Sequence, residues 1–347
     1  MNKAHPFQTP AVLKATQLPL PDREYTPAML PALNLAEPML VEPVLEGYQT
    51  LYGLNKIDAL HWQGYLNLAQ HKTHVQVFIP RQQAQGTVWL LHGYLEHSGI
   101  YQPIIEEIIE QGFSVITYDL PGHGLTEGPI ASIQEFSIYQ NLLDELRHWA
   151  ETQLKQLPKP WLGIGQSTGG AIWIDHTLTA ASQRRAPMID RALLLSPLVR
   201  PAQSAWWHNS IGLSLIKRVK RNVPRTFRRN NHNPEFLRFV RLADPLQPRV
   251  MSLEWILALA KWMVRIEQLP ACRIPVWVAQ GAKDQTVNWR YNLEFIRKKF
   301  RLQTLLILEE GSHQLINERS DIRAALTGLI PAFLHANDIK RYYYDTE

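Results

Sequence analysis

Six short, continuous apolar stretches alternate with helical patterns along this chain, and that alternation leaves few folds open. TVWLLHG, FSVITYDL, PWLGIGQ, RALLLSPLV, IPVWVAQG and LQTLLILEEG read as strands that are apolar on both faces, as strands covered by helices on two sides must be. Between them lie YQPIIEEIIEQG, SIQEFSIYQNLLDELRHWAETQL, TGGAIWIDHTLTAASQ, NWRYNLEFIRKKF and SDIRAALTGLIPAFLHAND, which carry helical spacing. Ahead of them LHWQGYLNL and THVQVFIP alternate as an antiparallel hairpin pair. The pattern predicts an α/β chain: a mostly parallel central sheet with helices on both faces.

The alternation breaks once. From about Pro201 to Pro270 the sequence is helical or irregular, with no strand, and rich in Arg and Trp. It reads as an insertion between two sheet strands, placed like a lid. Charge singles out the same segment: the chain is +5 overall, yet residues 200 to 273 hold 14 Lys/Arg against 4 Asp/Glu, so the remainder is net acidic. Such a concentrated positive face favours anionic partners. Residues 1 to 46 hold eight prolines without apolar periodicity and read as an extended arm. The expected organisation is therefore an arm (1–46), a first core segment (47–199), a basic helical cap (200–272) and a second core segment (273–347).

A chain of 347 residues that is 45% hydrophobic can bury a sizeable core, which sets aside disordered and fibrous classes. The one cysteine, Cys272, has no partner for an internal disulfide and too few companions for a thiolate zinc site, which points to a reducing compartment. The N-terminal segment lacks a continuous apolar stretch of signal type, and no later stretch has the length of a membrane span. The default expectation is a cytoplasmic protein. No phosphate-binding glycine loop and no HExxH-type spacing is present, so no cofactor or metal is expected.

Gly165-Gln166-Ser167-Thr168-Gly169 follows the apolar stretch PWLGI and opens a helix. A serine at such a strand-to-helix turn is pushed above the sheet edge, and small flanking residues let the backbone make the turn. A serine hydroxyl is a weak nucleophile at neutral pH, so it needs a general base and a group that orients the base. For this turn type the chain order is serine, acid, histidine. Asp284 in GAKDQTV and His313 in GSHQLINE follow two late strands and fall at the same sheet edge as Ser167. Asp119 ends a strand too early in that order and is expected to tie down its loop, and Asp321 opens the last helix, where an acidic group is ordinary. Oxyanion donors are expected from the backbone N–H of Thr168 and of Tyr94, in the loop His92-Gly93-Tyr94-Leu95-Glu96-His97. His92 and His97 are expected to be structural, and a metal site with His123 is set aside for want of ligand spacing.

HGYLEHSGIY, YDLPGHGLTEG, GIGQSTGG and the GAKD and GSH segments together resemble the monoacylglycerol lipase and lysophospholipase group of α/β-hydrolases, from Val88 to the C-terminal helix. The resemblance implies the α/β-hydrolase fold, an inserted cap with an apolar acyl channel, and a serine that attacks the ester of a single-chain lipid. It implies Ser167 as nucleophile, His313 as base, Asp284 as orienter, and Tyr94 and Thr168 as oxyanion donors. The family commonly has glycine where Leu95 stands, which makes Leu95 a candidate wall of the acyl pocket.

In the cap, Trp206 and Trp207 beside Lys217, Arg218, Lys220 and Arg221 have the composition of a surface at an anionic lipid interface, or of a substrate pocket with a solvated outer face. The expected partner is a small lipid substrate, lysophospholipid ahead of monoacylglycerol because of the cap's charge, with peripheral contact at an anionic membrane surface. Nucleic acid is not expected, since no recognition module accompanies the charge. Acyl-CoA or another thioester is the alternative substrate. A non-catalytic lipid-binding module is the alternative of a different class.

Overall fold

The computed structural model describes residues 32–35, 43–154, 157–202, 221–227 and 229–336. In chain order the strands are β1 (Ala59–Leu68), β2 (His71–Pro80), β3 (Thr87–Leu91), β4 (Ser114–Tyr118), β5 (Trp161–Gln166), β6 (Arg191–Leu195), β7 (Asn222–Pro224), β8 (Val250–Ser252), β9 (Pro275–Gly281) and β10 (Arg301–Leu308). The helices are α1 (Pro43–Tyr52), α2 (Gln102–Glu110), α3 (Ser137–Gln153), α4 (Thr168–Ser182), α5 (Pro234–Leu242), α6 (Leu253–Gln268), α7 (Trp289–Lys299) and α8 (Ser320–Leu334).

Eight strands form one sheet in the order β1-β2-β4-β3-β5-β6-β9-β10. β1 and β2 pair antiparallel, as do β2 and β4, and the pairs from β4 to β10 are parallel. β3, β4, β5 and β6 are buried along their whole length, which is why their sequences are continuously apolar rather than alternating. One apolar layer joins α3, α4, α6 and α7 to one face of the sheet, through side chains such as Leu142, Ile172, Leu259 and Ile296. A second joins α1, α2, α5 and α8 to the other face, through Tyr48, Ile104, Phe239 and Ile330. This is the α/β-hydrolase fold.

The chain order reverses beside β3, because β4 lies on one side of it and β5 on the other. At such a switch point the loops leaving neighbouring parallel strands diverge to opposite faces and open a crevice at their carboxyl ends. The HG loop after β3 and the serine turn after β5 flank that crevice.

Three findings differ from the sequence pattern or refine it. The insertion does contain strands: β7 pairs antiparallel with β8, Val223 opposite Met251. Three residues are too few for alternation to register. Helix α1 begins at Pro43, inside the stretch assigned to the arm, and buries Leu45, Tyr48 and Tyr52 on one face. The described piece of the arm lies on β1, where Leu33 N–H donates to Tyr65 O (3.1 Å) and Trp62 Nε1 to Leu35 O (3.3 Å). Trp206, Trp207, Lys217, Arg218 and Lys220 lie outside the described residues. Among the described residues no helix is long and apolar enough to cross a membrane.

Candidate active site

Ser167 occupies the single residue between β5 and α4, at φ 51° and ψ −109°. A side chain in this region costs of order 1–3 kcal/mol, so the surroundings must hold it there. They do so through its backbone: Ser167 N–H donates to Leu195 O (2.8 Å), and its carbonyl accepts from Ala171 N (3.0 Å) and Leu198 N (3.1 Å). The flanking glycines are required by contact. A Cβ on Gly165 would lie 2.4 Å from the Gly169 carbonyl carbon, and one on Gly169 would lie 2.2 Å from Leu91 O.

His313 and Asp284 reach the same edge from the loops after β10 and β9. His313 Nδ1 and Asp284 Oδ2 are 2.7 Å apart. An ionised carboxylate only accepts, so Nδ1 carries the proton and Nε2 is left as the basic nitrogen. Burial works against the charge on Asp284, but the attraction of His313, its hydrogen bond, and N–H donors from Thr286 (2.7 Å) and Val287 (3.1 Å) outweigh it and hold the carboxyl below its ordinary range. For His313 burial also opposes charge, and the Asp284 carboxylate wins, raising the imidazole above its ordinary value. Gln280 Nε2 adds a donor to Asp284 Oδ2 at 3.1 Å. Gln166, the neighbour of Ser167, donates from Nε2 to His313 O at 2.8 Å and ties the serine turn to the histidine loop.

The loop after β3 closes the other side. A Cβ on Gly93 would lie 3.3 Å from Ser167 Cβ, so this loop passes directly against the serine. Glu96 folds back to accept from Gly93 N (3.1 Å) and Tyr101 OH (2.5 Å). Leu95 is buried with φ 62°, a left-handed conformation that glycine adopts freely and that costs another residue roughly 1–2 kcal/mol. Tyr94 is held by the cap: its ring stacks on Trp255 of α6 (3.6 Å, 11°), its hydroxyl donates to Ala131 O (2.9 Å) and accepts from Ser252 N (3.0 Å). Among the described residues, neither Tyr94 N–H nor Thr168 N–H donates to a protein acceptor.

The remaining acidic and imidazole groups have other work. Asp119 Oδ1 accepts from Ser98 N (2.7 Å) and Oγ (2.6 Å), and Oδ2 from Leu125 N (2.9 Å) and His74 Nδ1 (3.0 Å), which ties down its loop. Asp321 pairs with Arg319 at the start of α8. His92 Nε2 accepts from Leu120 N (2.9 Å), so its Nδ1–H donates to Gly93 O (2.8 Å). Burial lowers His92 to about 4 and His123 to about 3. His97 Nε2 meets Asp244 Oδ2 at 3.0 Å, and Tyr52 OH donates to Asp244 Oδ1 at 2.6 Å, so a buried polar pair joins the HG loop to the cap.

Sequence reasoning missed the clamp on His313. Asn230 O, in the cap, accepts from His313 N (3.1 Å) and Gln314 N (3.0 Å), and Asn231 Nδ2 donates to Gln314 O (2.8 Å). Glu318 accepts from Ser312 N (3.1 Å), His232 N (2.9 Å) and His232 Nδ1 (2.9 Å). The signal was the polar run Asn230-Asn231-His232-Asn233-Pro234, whose side chains bond backbone in turns and at helix starts. Asn233 caps α5 and Pro234 occupies its first turn.

Residues 82–320 match the Hydrolase_4 family model, described as Serine aminopeptidase, S33. The chain is 26% identical to human monoglyceride lipase over 254 residues, 70% of this chain and 80% of that protein. It is 27% identical to the phospholipase YtpA of Bacillus subtilis over 206 residues, 57% of this chain and 76% of that protein. It spans only 26% and 45% of two further curated relatives. Among solved structures, a soluble variant of monoglyceride lipase from Saccharomyces cerevisiae superposes with a TM-score of 0.62 at 17% identity, over 78% of this chain and 94% of that one.

Proposed function

The chain belongs to the family described as Serine aminopeptidase, S33, and from that premise, together with its likeness to monoglyceride lipase, we propose that it cleaves the carboxylic ester of a single-chain lipid. The observation that carries this reading is the strained Ser167 turn beside the HG loop, at the sheet edge where His313 and Asp284 pair at 2.7 Å. In the proposed reaction Ser167 Oγ attacks the ester carbonyl carbon and its proton passes to His313 Nε2. The carbonyl oxygen becomes an alkoxide that accepts from the Tyr94 and Thr168 N–H groups. As the carbon–oxygen bond to the alcohol breaks, His313 returns the proton to the leaving oxygen, and an acyl-serine remains. Water then gives a proton to His313 and attacks the acyl carbon; as the bond from that carbon to Ser167 Oγ breaks, His313 returns the proton to Oγ, which releases the fatty acid and restores the serine. Asp284 keeps the imidazole in the tautomer that can do this and stabilises its cation.

Lysophospholipid and monoacylglycerol are the proposed substrates, supported by relatives named as monoglyceride lipase and phospholipase. The family description favours a second reading, removal of an N-terminal amino acid from a peptide. That chemistry needs carboxylates free for a substrate ammonium, whereas the cavity beside the site carries Arg225, Arg229 and Arg241, and its one carboxylate, Glu96, is engaged by Gly93 N and Tyr101 OH. The test is fluorophosphonate labelling with fatty-acid release from both lipids, against aminoacyl amides, for wild type and Ser167→Ala. We expect labelling and release in wild type, with turnover lowered at least about 10³-fold in the variant. Folded wild type that is neither labelled nor active overturns the enzyme reading, and cleavage of aminoacyl amides alone overturns the lipid reading.

A further inference from the structure

A cavity of about 260 Å³ opens beside the serine edge. Its walls come from Glu96 in the HG loop, from Gln314 next to His313, and from the cap, which supplies Arg225, Arg229, Arg241 and Gln247. Arg225 is locked in the wall: Nη1 donates to Gln247 Oε1 (2.6 Å), Pro248 O (3.2 Å) and Leu95 O (3.3 Å), and the guanidinium lies over the Phe227 ring at 4.5 Å. Arg229 and Arg241 are exposed, and neither has an acidic partner among the described residues. The one carboxylate on the wall, Glu96, already accepts from Gly93 N and Tyr101 OH. Three guanidinium groups against one engaged carboxylate leave the cavity cationic.

A second observation is independent of charge. Gln247 and Gln314 are 3% and 1% exposed, and the NH2 group of each has no acceptor among the described residues. Their orientation is settled by their partners. Gln247 Oε1 accepts from Arg225, which can only donate, and Gln314 Oε1 accepts from Asn317 N (3.0 Å) and Asn231 Nδ2 (3.3 Å). Two buried amide donors therefore stand unpaired in the wall of a cationic cavity. A buried donor without an acceptor is costly, and both of these belong to residues that line this one cavity.

We propose that this cavity is an anion subsite for a phosphate ester, the headgroup phosphate of the single-chain lipid whose acyl ester is attacked at Ser167; the headgroup assignment rests on the lipid-ester reading above. A phosphate group offers several charged acceptor oxygens to guanidinium forks and amide donors, whereas the hydroxyls of a neutral glycerol accept without charge and an ammonium group only donates. Gln314 adjoins His313 and Glu96 braces the loop that touches Ser167, so the cavity wall and the serine edge are built on the same two loops.

The test uses the full chain and the double variant Arg229→Gln/Arg241→Gln, both positions being exposed and without an acidic partner among the described residues. First, kcat/KM is measured for lysophosphatidylglycerol and monoacylglycerol of equal chain length in neutral detergent micelles. The ratio of the two is expected to fall at least tenfold in the double variant. Second, glycerol 3-phosphate is titrated calorimetrically into Ser167→Ala protein with and without the double substitution, where loss of binding in the substituted protein is expected. A ratio that moves less than twofold together with unchanged glycerol 3-phosphate affinity overturns the subsite. Binding that depends on the two arginines, with no hydrolysis of either lipid by wild type, supports the anion site for a free phosphate ester and overturns the lipid-ester reading instead.

Discussion

Asp284 illustrates how a single side chain ties stability to chemistry. Its carboxylate accepts from His313 and from two backbone N–H groups, and it is the main reason the buried imidazole stays above its ordinary pKa. In the proposed mechanism neutral His313 takes the proton from Ser167, so activity should fall as pH drops through a His313 pKa that lies above 6.5. Asp284→Asn removes the charge but keeps the shape. We expect kcat to drop by about 10⁴-fold, because the amide no longer selects the tautomer with the proton on Nδ1. The acid limb of kcat/KM should move to lower pH in the same variant, since the charge that raised His313 is gone. A pH–rate profile checks both, and an unmoved limb would separate His313 from Asp284.

At the scale of elements, the segment between β6 and β9 bonds directly to the loops after β3 and β10 rather than lying over them. Helix α6 is capped by Ser252, whose Oγ accepts from Glu254 N (3.2 Å) and Trp255 N (3.3 Å) and lies 2.8 Å from Ser132 Oγ. The Ser252 N–H donates to Tyr94 OH, and Trp255 stacks on the Tyr94 ring, so the helix start and the HG loop share one support. Ser252→Ala is expected to cost about 1–2 kcal/mol of unfolding free energy in a urea titration, the upper part of the range for a lost helix cap, because a buried hydroxyl partner goes with it. It should also lower kcat more than it raises KM if Tyr94 N–H serves the transition state, as the proposed mechanism has it. An equal loss of stability with unchanged kcat would assign Tyr94 to packing alone.

At the scale of the whole molecule, three buried aspartates join separate parts of the fold and set its response to acid. Burial opposes the charge of each, and it is outweighed at Asp119 by His74, at Asp244 by His97 and at Asp284 by His313, with backbone donors helping. All three carboxyls are therefore held below the ordinary 3.8. A carboxyl whose folded pKa is depressed stabilises the fold above its unfolded value and loses that contribution as pH falls through the folded one. His97 and His313 have the opposite sign: raised above 6.5, they contribute below that value and lose it as pH rises through their folded pKa. The urea midpoint should consequently fall steeply below about pH 4, and decline again above pH 6.5 by a smaller amount. Asp244→Asn should flatten both limbs, because it removes one member of each class at the join between cap and core.

The amino-acid sequence by itself carried the sheet, because strands buried on both faces must be continuously apolar, and that pattern is local. It also carried the candidate residues Ser167, Asp284 and His313, since a turn of small residues and two late strand ends are readable from order and spacing. Other features depend on contacts between residues far apart in the chain. Asn230 holding the His313 loop, Glu96 bracing Gly93 and Trp255 seating Tyr94 are pairings that no spacing announces. Leu95 in a left-handed turn runs against its own preference, and the three-residue strands β7 and β8 have no periodicity to read. The cationic cavity belongs with these: Arg225, Arg241 and Gln314 are ordinary surface-type residues in sequence, and only the packing of cap on core turns them toward one volume with two unpaired amides.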